Sequence, residues 1–133
     1  MPMKFLAVDD EDIVRCVLVK ELEKAENGCI IEQSGKPSEA LKIVENGFIP
    51  DIAFLDVEMF GMTGLELAEK IKAICPRVEI VFVTGYSQYA ADAFSIHAHG
   101  FLLKPVTLKQ VQTEIQSIKE EHGIPVLQDT TVN

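Results

Sequence analysis

Apolar residues along this chain fall into two alternating textures, short unbroken runs and longer stripes at helical spacing. Lys4 to Val8 is a short apolar run that stops at acids, too short for a helix and suited to a buried strand. From Asp9 to Asp12 a helical pattern opens, with Ile13, Val14, Val17, Leu18, Leu22 and Ala25 expected on one inward stripe and Asn27-Gly28 as its stop. Cys29-Ile30-Ile31 begins a second strand, and Pro37 fits the first turn of a second helix with Ala40, Leu41 and Val44 inward. Ile52 to Leu55 predicts a third strand, Gly64 to Ala73 a third helix with Leu65, Ala68 and Ile71 on one face. Val78 to Val83 is nearly all apolar and β-branched, as a central parallel strand should be. A short helix around Ala90 to Ile96, a brief strand from Phe101 to Leu103, and a last helix striped by Leu108, Val111, Ile115 and Ile118 complete the series.

Strand and helix alternate five times, and none of the six prolines interrupts a predicted helix. This predicts an α/β domain: a doubly wound, five-stranded parallel sheet covered on both faces. Its 133 residues are enough for one domain with a sizeable core, expected over 1–123. Residues 124–133 are polar and carry Pro125, as a tail or the start of a linker would.

Charge narrows the class of partner. The formal net charge of −9 argues against direct nucleic acid binding, which needs Lys and Arg to displace counterions. No apolar run approaches the roughly 18 residues of a membrane span, and Met1 to Phe5 lacks the layout of a signal peptide. Cys16, Cys29 and Cys75 are odd in number, widely spaced and without a metal pattern, so reduced thiols and a cytoplasmic location are expected.

In an open parallel sheet, ligands bind beyond the carboxyl ends of the strands. The unusual polar residues fall at those ends: Asp9 and Asp10 after the first strand, Asp56 after the third, Thr84 after the fourth, Lys104 after the fifth. Taken singly, each has an ordinary explanation. Asp9 to Asp12 can cap a helix, Asp56 and Thr84-Gly85 can be turn residues, and Lys104-Pro105 can be an exposed lysine before a reversal. Capping does not explain why they all mark one edge. Gathered carboxylates repel unless a cation joins them, and a hard ion with oxygen ligands, Mg²⁺ before Ca²⁺, suits them. A lysine and a hydroxyl then face a phosphate, the arrangement for electrostatically driven phosphoryl transfer to an aspartate nucleophile.

Over roughly residues 3–120 these segments resemble the receiver domains of two-component response regulators. The matching stretches are Phe5-Leu6-Ala7-Val8-Asp9-Asp10-Glu11, Phe54-Leu55-Asp56-Val57-Glu58-Met59, Met62-Thr63-Gly64-Leu65-Glu66, Val83-Thr84-Gly85 and Phe101-Leu102-Leu103-Lys104-Pro105. The resemblance implies the flavodoxin-like strand order 2-1-3-4-5. It implies Asp56 as phosphoacceptor for a sensor histidine kinase or phosphotransfer protein, with Mg²⁺ held by Asp10, Asp56 and the Glu58 main-chain carbonyl and by Asp9 through water. Lys104 would meet the phosphoryl oxygens, and its bond to Pro105 is commonly cis in such domains. Thr84 and Phe101 would be the switch pair, altering a face made of the fourth helix, fifth strand and fifth helix that serves for docking or homodimerisation. The only chemistry catalysed would be the domain's own phosphorylation and dephosphorylation. Phe60-Gly61 departs from the proline common in that loop and removes a lock on φ.

Tyr89-Ala90-Ala91-Asp92-Ala93-Phe94, with Phe101 to Val106, is similar to receivers joined to LytTR-type DNA-binding domains. With no such domain in the sequence, an excised receiver or a single-domain regulator is expected. Glu58 and Tyr86 are expected to flank the phosphoryl site and Glu58 to influence its lifetime, while Gly85 leaves it open. His97, His99 and His122 lack acidic or cysteine partners at ligand spacing, and His97 and His99 read as helix-end residues.

Other readings share some of these features. Haloacid-dehalogenase-type phosphatases also use an aspartyl phosphate, but their nucleophile lies on the first strand and their paired acids come late. A mononucleotide binder would need a Gly-rich loop after the first strand, where acids stand instead. A degenerate receiver acting only through protein contacts would not need the five positions that are present.

Overall fold

The computed structural model describes residues 1–124. The expected tail or linker therefore lies, from 125 onward, outside the described residues. Five strands, β1 (Lys4–Val8), β2 (Ile30–Ser34), β3 (Ile52–Leu55), β4 (Glu79–Thr84) and β5 (Gly100–Leu103), form one parallel sheet in the order β2-β1-β3-β4-β5. Between them run α1 (Asp12–Ala25), α2 (Pro37–Glu45), α3 (Gly64–Ile74) and α4 (Ala90–Ser95), and α5 (Leu108–Glu121) closes the series. A single 3-10 turn, Ser87–Tyr89, leads into α4.

Side chains alternate across each strand, so one sheet supplies two cores. Leu6, Val8, Ala53, Leu55, Ile80 and Phe82 face Ala40, Val44, Leu67, Ala68 and Ile71 from α2 and α3. Phe5, Ala7, Ile52, Phe54, Val81 and Val83 face Leu18, Leu22, Val111, Ile115 and Ile118 from α1 and α5. Phe5 and Phe54 meet edge to face at 5.6 Å, the favoured geometry for aromatic pairs. The three inner strands are almost wholly buried, whereas β2 and β5, at the edges, are not.

The α1 stripe is narrower than its spacing predicts. Leu18 and Leu22 are buried, but Ile13 is 81% and Val17 50% exposed. A full set of apolar positions on a helix defines a stripe without saying how much of it the sheet covers, and here the cover reaches only one side.

Local signals place the helix starts. Pro37 opens α2, Thr63 caps α3 by accepting the Glu66 N–H at 3.1 Å, and Thr107 with Gln110 forms a reciprocal capping box on α5. Gly64 is dictated by proximity, because a Cβ there would collide with the Asp56 carbonyl oxygen. The start of α3 is thereby pressed against the strand end that carries Asp56. Gly61, at φ +94°, allows the preceding loop to turn in the left-handed region.

Candidate functional site

Strand register builds the site. Val8 pairs with Leu55, so the residues that follow, Asp9 and Asp56, leave neighbouring strands side by side. The Asp56 N–H donates to the Val8 carbonyl at 3.0 Å and the Asp9 N–H to the Ser34 carbonyl at 3.3 Å, continuing the ladder past the strand ends. Thr84 is the last residue of β4, and the Lys104 N–H donates to its carbonyl at 2.8 Å. The Lys104–Pro105 peptide bond is cis.

At this edge Lys104 Nζ lies 2.8 Å from Asp9 Oδ2, 2.9 Å from Asp56 Oδ2 and 3.6 Å from Glu11 Oε1. One ammonium thus serves acids from three separate positions. Asp9 and Asp56 are buried, and carboxylate oxygens of Asp9, Glu11 and Asp56 lie within 4.8 Å of one another. Burial pushes the Asp9 carboxyl up, outweighing the Lys104 ammonium and the Glu11 N–H that favour its charge, and the Asp56 charge adds to the rise. Burial works against the Lys104 ammonium, but hydrogen bonds and charge from Asp9 and Asp56 prevail and hold it above the ordinary lysine value. Among the described residues, this cluster sets three carboxyl groups against the one Lys104 ammonium.

Among the described residues, two buried side-chain polar atoms have no hydrogen-bond partner, Asp56 Oδ1 and Thr84 Oγ1. Buried oxygens are nearly always satisfied, so both point to a ligand this edge is built to meet. An all-oxygen donor set with excess negative charge and an unpartnered carboxylate oxygen fits a hard divalent cation such as Mg²⁺.

The remaining predicted residues stand around this centre. Asp10 is exposed at the rim, its Oδ2 accepting the Phe60 N–H at 3.2 Å, and is not within the tight carboxylate group. Phe101 lies half-buried in β5, against the core shared with α3 and α4. Glu58 is exposed and turned toward α4, where Tyr89 donates to its Oε2 at 2.6 Å. Tyr89, not Tyr86, is therefore the tyrosine that engages Glu58, and Tyr86 packs edge-on against it at 6.4 Å. The Glu58 carboxylate holds the Tyr89 phenol above its ordinary value, as a donor.

Sequence reasoning gave no role to Glu11 or Arg15. Arg15 grips the Asp9 carbonyl at 2.6 Å, Asp12 at 2.8 Å and Gln33 at 3.1 Å, tying α1 and β2 to the first acidic loop. Glu11 had a signal, as the third acid of the run, whereas Arg15 had none without the fold. His99, read as a helix-end residue, instead sits between Glu114 (3.1 Å) and Glu121 (2.7 Å), and His122 meets Glu79 at 2.6 Å. His97, at φ 60° just past α4, keeps the helix-end reading, and His122 is itself the C-cap of α5. The three cysteines are free thiols.

A doubly wound parallel sheet with a lysine and clustered acids at its carboxyl edge defines a class of phosphoacceptor α/β domain. The model of the response regulator receiver domain matches residues 5–116, and the chain belongs to that family. A response regulatory protein of Vibrio cholerae is 35% identical over 119 residues, covering 88% of this chain and 48% of its own length. The sensory transduction protein LytT of Bacillus cereus is 35% identical over 130 residues, covering 92% of this chain and 52% of its own. The chain thus spans about half the length of the curated relatives it matches. Among solved structures, a receiver domain of Methanospirillum hungatei superposes with TM-score 0.82 at 25% identity, covering 92% of this chain and 98% of that one. The response regulator TrrA of Thermotoga maritima, solved with Mg²⁺ and beryllofluoride, gives TM-score 0.77 at 31% identity, covering 87% and 98%. The chain is a receiver domain of a two-component system, and the phosphatase and mononucleotide readings find no support. The resemblance to receivers of LytTR-type regulators is matched by LytT and LytR relatives.

Proposed function

We propose that Asp56 accepts a phosphoryl group from a sensor histidine kinase or phosphotransfer protein. The observation that carries this is the division of one buried carboxylate: Asp56 Oδ2 is paired with Lys104 at 2.9 Å while Oδ1 is buried and unpartnered. Oδ1 attacks phosphorus, the bond from phosphorus to the donor breaks, and the donor's leaving atom takes a proton from solvent. Lys104 meets charge on the transferred oxygens, and Thr84 Oγ1, buried without a partner at the end of β4, donates to the phosphoryl group. Asp10, Asp56 and the Glu58 main-chain carbonyl would hold Mg²⁺, with Asp9 acting through water. When bound, the ion would neutralise the clustered acids and the phosphoryl charge.

Thr84 turning to the phosphate lets Phe101 move inward, and the α4-β5-α5 face changes shape. Phe94 and Leu103, 80% and 46% exposed on that face, support its use for an effector or a second copy. The domain catalyses only its own phosphorylation and dephosphorylation. It works in the cytoplasm, makes no direct contact with nucleic acid, and leaves any DNA output to another domain or protein. No helix among the described residues is long and apolar enough to cross a membrane.

Acetyl phosphate with Mg²⁺ should give the wild-type protein one labile acyl phosphate by intact mass, and Asp56→Asn none. Labelling that persists in Asp56→Asn, or turnover of added phosphomonoesters, would overturn the assignment.

A further inference from the structure

One short contact near the site takes no part in phosphoryl capture. Glu58 stands two residues past Asp56, in the loop after β3, and Tyr89 closes the 3-10 turn ahead of α4. Their side chains meet at 2.6 Å across 31 residues of sequence. An O–H donor at about 2.5–2.7 Å from a carboxylate oxygen belongs to the strong, charge-assisted class of hydrogen bond. Tyr89 is also held in place. Its ring packs on the core beneath α4 and lies edge-on to Tyr86. A carboxylate two residues from the phosphoacceptor is therefore tied to a fixed phenol and directed toward α4. Gly85 follows Thr84 at the end of β4, and a Cβ there would meet nothing within 4 Å, so the space beside that strand end is open.

Resting on the receiver reading, we propose that Tyr89 is a positioning residue: it restrains the Glu58 carboxylate on the α4 side and thereby slows hydrolysis of the acyl phosphate. In that hydrolysis a water oxygen bonds to phosphorus as the bond from phosphorus to Asp56 breaks. Asp56 leaves as carboxylate, and both water protons end on the released inorganic phosphate, one of them by way of solvent. A carboxylate free to lean over this path accepts a hydrogen bond from the water and orients it for attack. Tied to Tyr89, it does not reach the path. The ordinary alternative is a surface hydrogen bond that only steadies the loop.

The test is a double-mutant cycle on dephosphorylation. Wild type, Tyr89→Phe, Glu58→Ala and the double variant are phosphorylated with acetyl phosphate and saturating Mg²⁺. The donor is then removed, and loss of acyl phosphate is followed by intact mass. Removing the phenol should speed loss about tenfold, less than full general catalysis would supply. In the Glu58→Ala background the same change should have no effect, because no carboxylate remains to be released. Tyr89→Phe within about twofold of wild type, or an equal acceleration with and without Glu58, overturns the proposal. A steadying role alone would lower the urea midpoint and leave the hydrolysis rates uncoupled, which also overturns it. Wild type that gains no acyl phosphate sinks the receiver assignment and this inference together. An acyl phosphate whose lifetime ignores Tyr89 sinks only the latter.

Discussion

Thr84 poses an energetic question that the proposed role in signalling would answer. Its side chain is fully buried and its hydroxyl has no partner, a state that costs roughly 1–3 kcal/mol of desolvation. Stability alone would favour valine, which has nearly the same shape and no polar atom. Thr84→Val should therefore raise the stability of the unphosphorylated protein by about 1 kcal/mol, visible as a higher urea midpoint with unchanged slope. Phosphorylated, the variant should lose the change in NMR shifts across α4 and β5 that the hydroxyl would trigger. A variant less stable than wild type would mean that the hydroxyl is satisfied and the unpartnered state wrong. The Asp56 Oδ1 atom poses the same question with a larger penalty, since it belongs to a carboxylate rather than a neutral hydroxyl.

At the scale of elements, α5 is fastened to the rest of the domain by charged side chains as well as by its apolar stripe. Lys119 reaches both Glu26 oxygens at 2.7 Å, joining it to the end of α1. His99, at the entry to β5, lies between Glu114 and Glu121 of α5, with the Ser117 hydroxyl at 3.3 Å from its Nε2. Burial lowers the His99 value, but hydrogen bonds and charge from Glu121 and then Glu114 outweigh it and raise the ring above its ordinary 6.5. A histidine with a raised folded value binds its proton more tightly in the native state. Its stabilisation is complete below the unfolded value near 6.5 and is lost as pH climbs through the raised one. The melting midpoint of the wild type should accordingly fall as pH is raised from near 6.5 through that range, and His99→Gln should flatten the slope. Equal slopes in the two proteins would remove His99 from the account. None of this was legible in the sequence, where Glu114 stands 15 residues from His99 and Glu58 stands 31 from Tyr89. The strands were legible because each inner one is an unbroken apolar run ending in a polar residue, and the site was legible because those endings share one edge. What spacing could not supply was how far the sheet covers α1, leaving Ile13 and Val17 outside, or which side chains from distant segments meet. Asp9 and Asp10 are neighbours in the chain, yet one is buried against Lys104 and the other is exposed against Phe60 N–H.

For the molecule as a whole the formal net charge is −9, and at the carboxyl edge of the sheet Lys104 is, among the described residues, the cation paired with both Asp9 and Asp56. Removing one partner of a buried ion pair costs about 3–5 kcal/mol, because the other charge is left uncompensated. Lys104→Met should thus destabilise the metal-free protein by about 3 kcal/mol, with Asp9 and Asp56 left buried and facing each other. A divalent cation entering the wild-type site must compete with the ammonium for the Asp56 carboxylate, whereas in Lys104→Met it meets no competitor. A ligand at one hundred times its dissociation constant stabilises by about 2.7 kcal/mol, which is comparable to the loss. Saturating Mg²⁺ should therefore restore most of the stability of Lys104→Met, and at equal concentration should raise its melting midpoint more than that of the wild type. Adding Asp56→Asn to Lys104→Met should abolish most of that rise, since the neutral amide relieves the repulsion and removes a ligand at once. Calorimetric scans with Mg²⁺ and with chelator decide the matter: equal Mg²⁺ shifts in wild type and Lys104→Met would show that ammonium and ion do not share these carboxylates, and the electrostatic logic of the site would have to be redrawn.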